Sequence, residues 1–230
     1  QLVADRYSYV ACMPWAILAG GALFTLWTRR PSTSARLGTA AVLLALCGVL
    51  SLRSRAEIAA WHDSRALWEH VLATGEPSAI AHNNLGAMDK DAGAYDAAFV
   101  HLREAVAIRP DLGQAWLNLG IDCEKLNRLP EAHEALLQAR KTLRPSTDAL
   151  VELGNLYVNR MNRPEDAVTV FREAVAEVQT LDVTRFSPLP YLGLGVALLR
   201  TGQVDEGRKT LEFAAQFPET RERALRALRL

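Results

Sequence analysis

The stretch "AHNNLGAMDKDAGAYDAAFVHLREAVAIRP", residues 81–110, reads as two amphipathic helices around a turn at "DAGAY". Gly86 stands inside the first helix, where glycine costs about 1 kcal/mol relative to alanine. Leu-Gly returns at Leu119-Gly120, Leu153-Gly154 and Leu194-Gly195, the first two steps being 34 residues each. A cost repeated at a fixed interval points to a geometric need. Small residues at a helix crossing let two backbones approach where a larger side chain would hold them apart.

The positions around each pair repeat as well. The first unit holds His82, Leu85, Gly86, Asp89, Ala98, Leu102, Ala105 and Pro110. The second holds Trp116, Leu119, Gly120, Cys123, Ala132, Leu136, Ala139 and, one place late, Pro145. The third holds Leu150, Leu153, Gly154 and Tyr157, then Ala167, Phe171 and Ala174, shifted by one residue at the "NRMNRPED" turn. The fourth holds Tyr191, Leu194, Gly195, Leu198, Gly207, Leu211, Ala214 and Pro218. Residues 79–218 therefore resemble the tetratricopeptide (TPR) repeat family, whose unit is a helix–turn–helix of 34 residues. The step between units three and four is longer, which predicts a long second helix and a loop in "EVQTLDVTRFSPLP".

The resemblance implies an all-α solenoid of about four repeats. Its concave face, lined by the first helix of each unit, would bind protein or an extended peptide. The residue before Leu-Gly is Asn84 in the first unit and Asn118 in the second. Similar solenoids use an asparagine ladder there, because an amide both donates to and accepts from a peptide backbone. Glu152 and Gly193 interrupt the pattern. Asn83, Ala87, Lys90, Gln114, Ile121 and Lys125 complete the expected groove. The alternative role for the two amides is to serve neighbouring backbone groups.

The first quarter reads differently. Residues 7–28 carry no charge and have Tyr7, Tyr9 and Trp27 near the ends. That is long enough to cross the roughly 30 Å of a bilayer core, with aromatic residues at its interfaces. A second apolar run, 37–52, lies between Arg36 and Arg53. A buried core helix is its alternative; two runs so close together predict a membrane hairpin. The expected organisation is a hairpin over 1–55 (two transmembrane helices, about 7–28 and 37–52), a junction or capping helix over 56–78, the solenoid over 79–218 and a capping helix over 219–230. The connecting loop holds three arginines and no acid. The positive-inside rule places it in the cytoplasm and the repeats on the extracytoplasmic side of an integral membrane protein. The first residue is Gln, which suggests a piece of a longer chain.

"ADRYSYV", residues 4–10, before an apolar run resembles a motif of polytopic GT-C-type glycosyltransferases, including transmembrane-and-TPR O-mannosyltransferase-like proteins. Ala4, Asp5, Arg6, Tyr7 and Tyr9 match; Ala11 stands where the family has proline, and Pro14 comes later. "WHDSRALW…AHNNLG" is similar to the junction between membrane and repeats in such proteins. The resemblance implies the C-terminal part of a glycosyltransferase-like membrane protein, with its catalytic acidic loop upstream. Arg6 could contact a lipid-linked phosphate, or Asp5 and Arg6 could anchor a helix end. A free-standing membrane-anchored assembly scaffold is the alternative.

No catalytic constellation, metal spacing or cofactor motif emerges. The five histidines are scattered, and Cys12, Cys47 and Cys123 form no disulfide framework. Residues 56–230 carry 20 basic and 25 acidic side chains, a balance that argues against nucleic acid as a partner. The Arg-rich tail "ETRERALRALRL" reads as a polar solenoid cap, or as a surface for anionic lipid.

Overall fold

The computed structural model describes residues 17, 18, 20, 21, 24, 25, 28, 32–61, 63–180 and 186–229. Eleven α-helices, and no strand, are bounded among the described residues. The chain divides into two units, Gln1–His62 and Asp63–Leu230.

In the first unit, α1 spans Thr33–Trp61. It contains the second apolar run and continues through Arg53 and Arg55, because Arg, Glu and Ala all favour helix. Leu37, Val42, Leu44, Val49, Leu50 and Leu52 are exposed. Among the described residues no helix is long and apolar enough to cross a membrane. The expected spanning helix over 37–52 is thus not found among the described residues. The sixteen residues 37–52 rise about 24 Å as helix, short of a roughly 30 Å hydrocarbon core. The other run, 7–28, falls mostly outside the described residues, as does Arg6.

The second unit is a stack of helix pairs. A short leading helix, α2 (Ser64–Ala73), precedes α3 (Ala79–Asp91) and α4 (Tyr95–Ile108), the first pair. The next pairs are α5 (Gly113–Lys125) with α6 (Leu129–Thr142), and α7 (Thr147–Asn159) with α8 (Pro164–Thr180). The last is α9 (Leu189–Arg200) with α10 (Val204–Ala214), followed by α11 (Pro218–Ala227). First helices lie on first helices: α3 on α5, α5 on α7, α7 on α9 and α9 on α11.

The turn within each pair is written in the sequence. Gly93, Asn127 and Gly202 adopt positive φ, where glycine and asparagine are the residues best tolerated. In these three turns a 6→1 bond closes the preceding helix: Ala94 N–H to Asp89 O, Arg128 N–H to Cys123 O, and Gln203 N–H to Leu198 O, at 2.8–2.9 Å. The third turn places Asn162 at positive φ, and its closing bond runs from Arg163 N–H to Tyr157 O, one residue further back. The single inserted residue is absorbed there.

The repeated glycines answer to the second helix of their own pair. A Cβ at Gly86 would lie 2.6 Å from Leu102, one at Gly120 2.6 Å from Leu136, and one at Gly195 2.6 Å from Leu211. At Gly154 the neighbour is Phe171, at 2.5 Å. The large side chain of the second helix thus rests on the bare backbone of the first, and the packing offsets the propensity cost. Ala98, Ala132 and Ala167 are fully buried at the reciprocal position. Within the third pair, Glu177 of α8 accepts from Ser146 N–H at 2.8 Å and from Thr147 Oγ1 at 2.6 Å. A carboxylate thereby serves the N-terminus of α7, whose own cap residue supplies no side-chain bond.

Candidate functional site

The residues expected to form the groove fall on α3 and α5, and the structure joins some of them to one another. Nδ2 of Asn118 donates to Oδ1 of Asn83 at 3.0 Å, with both residues buried. Nζ of Lys90 donates to Oδ1 of Asn118 at 3.4 Å. The rung that forms therefore pairs Asn118 with Asn83, one residue before Asn84. Asn84 and Ala87 are half-buried, Gln114 and Lys125 are exposed, and Ile121 packs against the core.

The titratable groups around this part of the stack are structural in their placement. Nδ1 of His82 and Nδ1 of His101 are 3.1 Å apart, so one ring must donate and the other accept. Burial first, and then the neighbouring His101, hold His82 below the usual histidine range. Asp89 accepts from Arg65 at 2.5 Å, and His101 Nε2 lies 3.9 Å from its other oxygen. Asp122 is fully buried, and neither carboxylate oxygen has a hydrogen-bond partner among the described residues. Burial pushes its carboxyl up to about 6, against the pull of Lys90. Burial also pushes the Cys123 thiol up to about 11, far from a nucleophilic thiolate. No three His, Cys, Asp or Glu side chains among the described residues lie close enough to hold a metal ion.

A cavity of about 190 Å³ opens further along the same face, between α7 and α9. Val151, Val158, Leu192 and Val196 line it with Phe171. Glu152, Asn155 and Asn159 supply polar groups from α7, and Arg223 supplies one from α11. Gly193 opens the space. A Cβ there would run into the ring of Phe171, so α9 approaches α8 over a backbone without a side chain. Phe171 is thus seated against Gly154 of its own pair and Gly193 of the next.

The arrangement can bind an extended chain: two amides that donate and accept, an apolar floor, and charged groups on different helices. The cavity lies one unit beyond the groove residues expected on α3 and α5. Asn155 and Asn159 stand 34 residues after Ile121 and Lys125, so carrying the register through one more period reaches them. The opening at Gly193 carries no such signal, because it depends on Phe171 arriving from another helix.

Comparison with known proteins agrees with this geometry. A tetratricopeptide repeat family model matches residues 79–109. The Drosophila melanogaster protein O-mannosyl-transferase Tmtc3 is 25% identical over 190 residues, 76% of this chain and 20% of Tmtc3. The chain thus spans about a fifth of the length of that relative. The crystal structure of YrrB, a TPR protein with an unusual peptide-binding site, matches with a TM-score of 0.58 at 15% identity, over 70% of this chain and 79% of that one. A thermophilic TPR protein of Thermus thermophilus matches with a TM-score of 0.58 at 18% identity, over 79% of this chain and 96% of that one. From Leu-Gly register, paired helices and these likenesses together, residues 79–218 form a solenoid of tetratricopeptide type, with one repeat matched by the family model, and the chain is similar in sequence to part of the Tmtc O-mannosyl-transferases.

Proposed function

We propose that the repeats bind protein or extended peptide on their concave face, in the cavity between α7 and α9. The observation that carries this reading is the cavity itself, with an apolar floor over Phe171 and the amides of Asn155 and Asn159 along one wall. The peptide-binding site named for YrrB, a protein of the same fold, supports it. Asn155→Trp in the full chain, held in detergent, fills the cavity from a half-buried position. Peptides selected on the parent chain are expected to bind this variant at least tenfold more weakly, about 1.4 kcal/mol, with the helical circular dichroism unchanged. Equal affinity in a folded variant refutes the groove.

The setting we propose is a membrane. Exposed apolar side chains along 37–52, together with the uncharged run 7–28, suit a bilayer. The likeness to Tmtc3 supports a glycosyltransferase-like parent in which these repeats are the part that recognises partners. The arginines of the connecting loop favour a cytoplasmic loop and extracytoplasmic repeats. A cysteine placed within 31–35, in a chain otherwise free of cysteine, is expected to resist an impermeant thiol reagent in intact cells. One placed at the exposed Ala92 is expected to react once the reagent reaches the extracytoplasmic side. The reverse pattern overturns the orientation.

A further inference from the structure

Successive repeats place equivalent side chains against one another, so a substitution at one register position changes a whole contact. Between the first two units, Lys90 reaches Asn118 across a step of 28 residues, and Asn118 reaches Asn83. The same steps between the second and third units bring Glu124 toward Glu152, and set Leu117 in the place of Asn83. A cation and two amides are replaced by two carboxylates and a buried leucine. Neither Glu124 nor Glu152 belongs to an ion pair among the described residues.

Glu152 lines the cavity, where it is half-buried. Burial raises its carboxyl above the usual carboxylate range, and Glu124 and Asp148 raise it further. Asn155 and Lys125 offset this in part. Arg223 stands on α11, across the cavity. The third unit thus presents negative charge at one end of an apolar slot, in an ion pair with neither Lys125 nor Arg223 among the described residues. The two amides one and two turns on, Asn155 and Asn159, are spaced to meet backbone groups of a chain lying along α7.

We propose that the groove selects an extended peptide carrying a lysine or arginine, whose charged head sits at Glu152 and Glu124 while its neighbouring residues cover the floor over Phe171 and Gly193. This rests on the groove being the binding face. A bound cation relieves the repulsion between the two carboxylates and supplies charge-assisted hydrogen bonds in a place partly shielded from water. The aliphatic stem of the side chain lies along the apolar wall while its head reaches the acids.

The test uses the full chain in detergent and three fluorescent decapeptides with blocked ends. They are identical in an alanine, serine and valine background except for one central Lys, Gln or Glu. The Lys peptide is expected to bind at least about tenfold more tightly than the Gln peptide, and the Glu peptide more weakly than both. Glu124→Gln with Glu152→Gln is expected to bring the Lys and Gln peptides to equal affinity. Glu152→Lys is expected to reverse the order and favour the Glu peptide. Equal binding of all three peptides to the parent chain, abolished by Asn155→Trp, overturns the charge selection and leaves the groove standing. Binding that survives Asn155→Trp, or no binding by any peptide, overturns both. A Lys preference that persists in the Gln double variant places the acidic site elsewhere and overturns this assignment.

Discussion

Phe171→Ala is expected to be the most damaging single truncation in the repeats, lowering stability by about 3–5 kcal/mol, or roughly 10 °C in Tm for a body of this size. The side chain is almost wholly buried and is the largest in that condition. Its loss empties the seat against Gly154 and also the seat against Gly193, whose backbones were brought close by the absence of their own side chains. Collapse from either side would require α7 or α9 to shift, so the void persists. Amide exchange separates this from an ordinary core cavity. Protection is expected to fall in α7 and α9 alike, whereas Leu102→Ala is expected to loosen α3 and α4 alone. Phe171→Leu, which restores the residue type of the other three pairs, is expected to recover much of the stability and to deepen the cavity floor. A loss below 1 kcal/mol for Phe171→Ala in a thermal melt would show that the two glycine seats are not filled as described.

Asp122→Asn is expected to stabilise the protein by roughly 1–3 kcal/mol at pH 8 and to have little effect near pH 4. The sign follows from the direction of the shift. The carboxyl titrates at about 6 in the folded chain and near 3.8 when unfolded, because burial disfavours the charged form. Between these values the folded state holds the proton more tightly, so the contribution of Asp122 to stability declines as pH rises from 4 toward 6. Above 6 the full penalty of an ionised, unpartnered carboxylate remains. Asparagine has the same shape and no charge to bury. Chemical unfolding of parent and variant across pH 4–8 isolates this group, since other titrations cancel in the difference. Destabilisation by asparagine at pH 8 would mean that the carboxylate is satisfied by Lys90 or another donor.

How much of this was legible beforehand depends on the distance between the residues involved. The pairing of Gly86 with Leu102, and of Gly120 with Leu136, lies within one helix–turn–helix unit and follows from spacing. The extra residue at Asn162 was legible for the same reason, since it displaces Ala167 and Phe171 by one place. Contacts between units were less legible. The sequence aligns Asn84 with Asn118, but the offset of α5 on α3 brings Asn83 to Asn118 instead. A shift of one residue turns a helix position by about 100°, so register alone does not settle which side chains meet. The cavity at Gly193 and the isolation of Asp122 depend on that same packing between units. In the first quarter, Arg53 and Arg55 marked a predicted end at residue 52, yet charge does not stop a helix, and α1 continues to Trp61.

The leading helix α2 contains no buried residue, and Arg65 ties it to Asp89 by an ion pair of 2.5 Å. In a stack where each helix bears on its neighbours, a pulling force applied at the two ends passes through every junction in series. A junction to which one helix brings no buried side chain yields early, and α2 on α3 is such a junction. Drawn out from helix to extended chain, its 10 residues add about 20 Å of length. Under such a force the leading helix is expected to give way early, while the glycine-seated pairs, and the groove between α7 and α9, keep their shape.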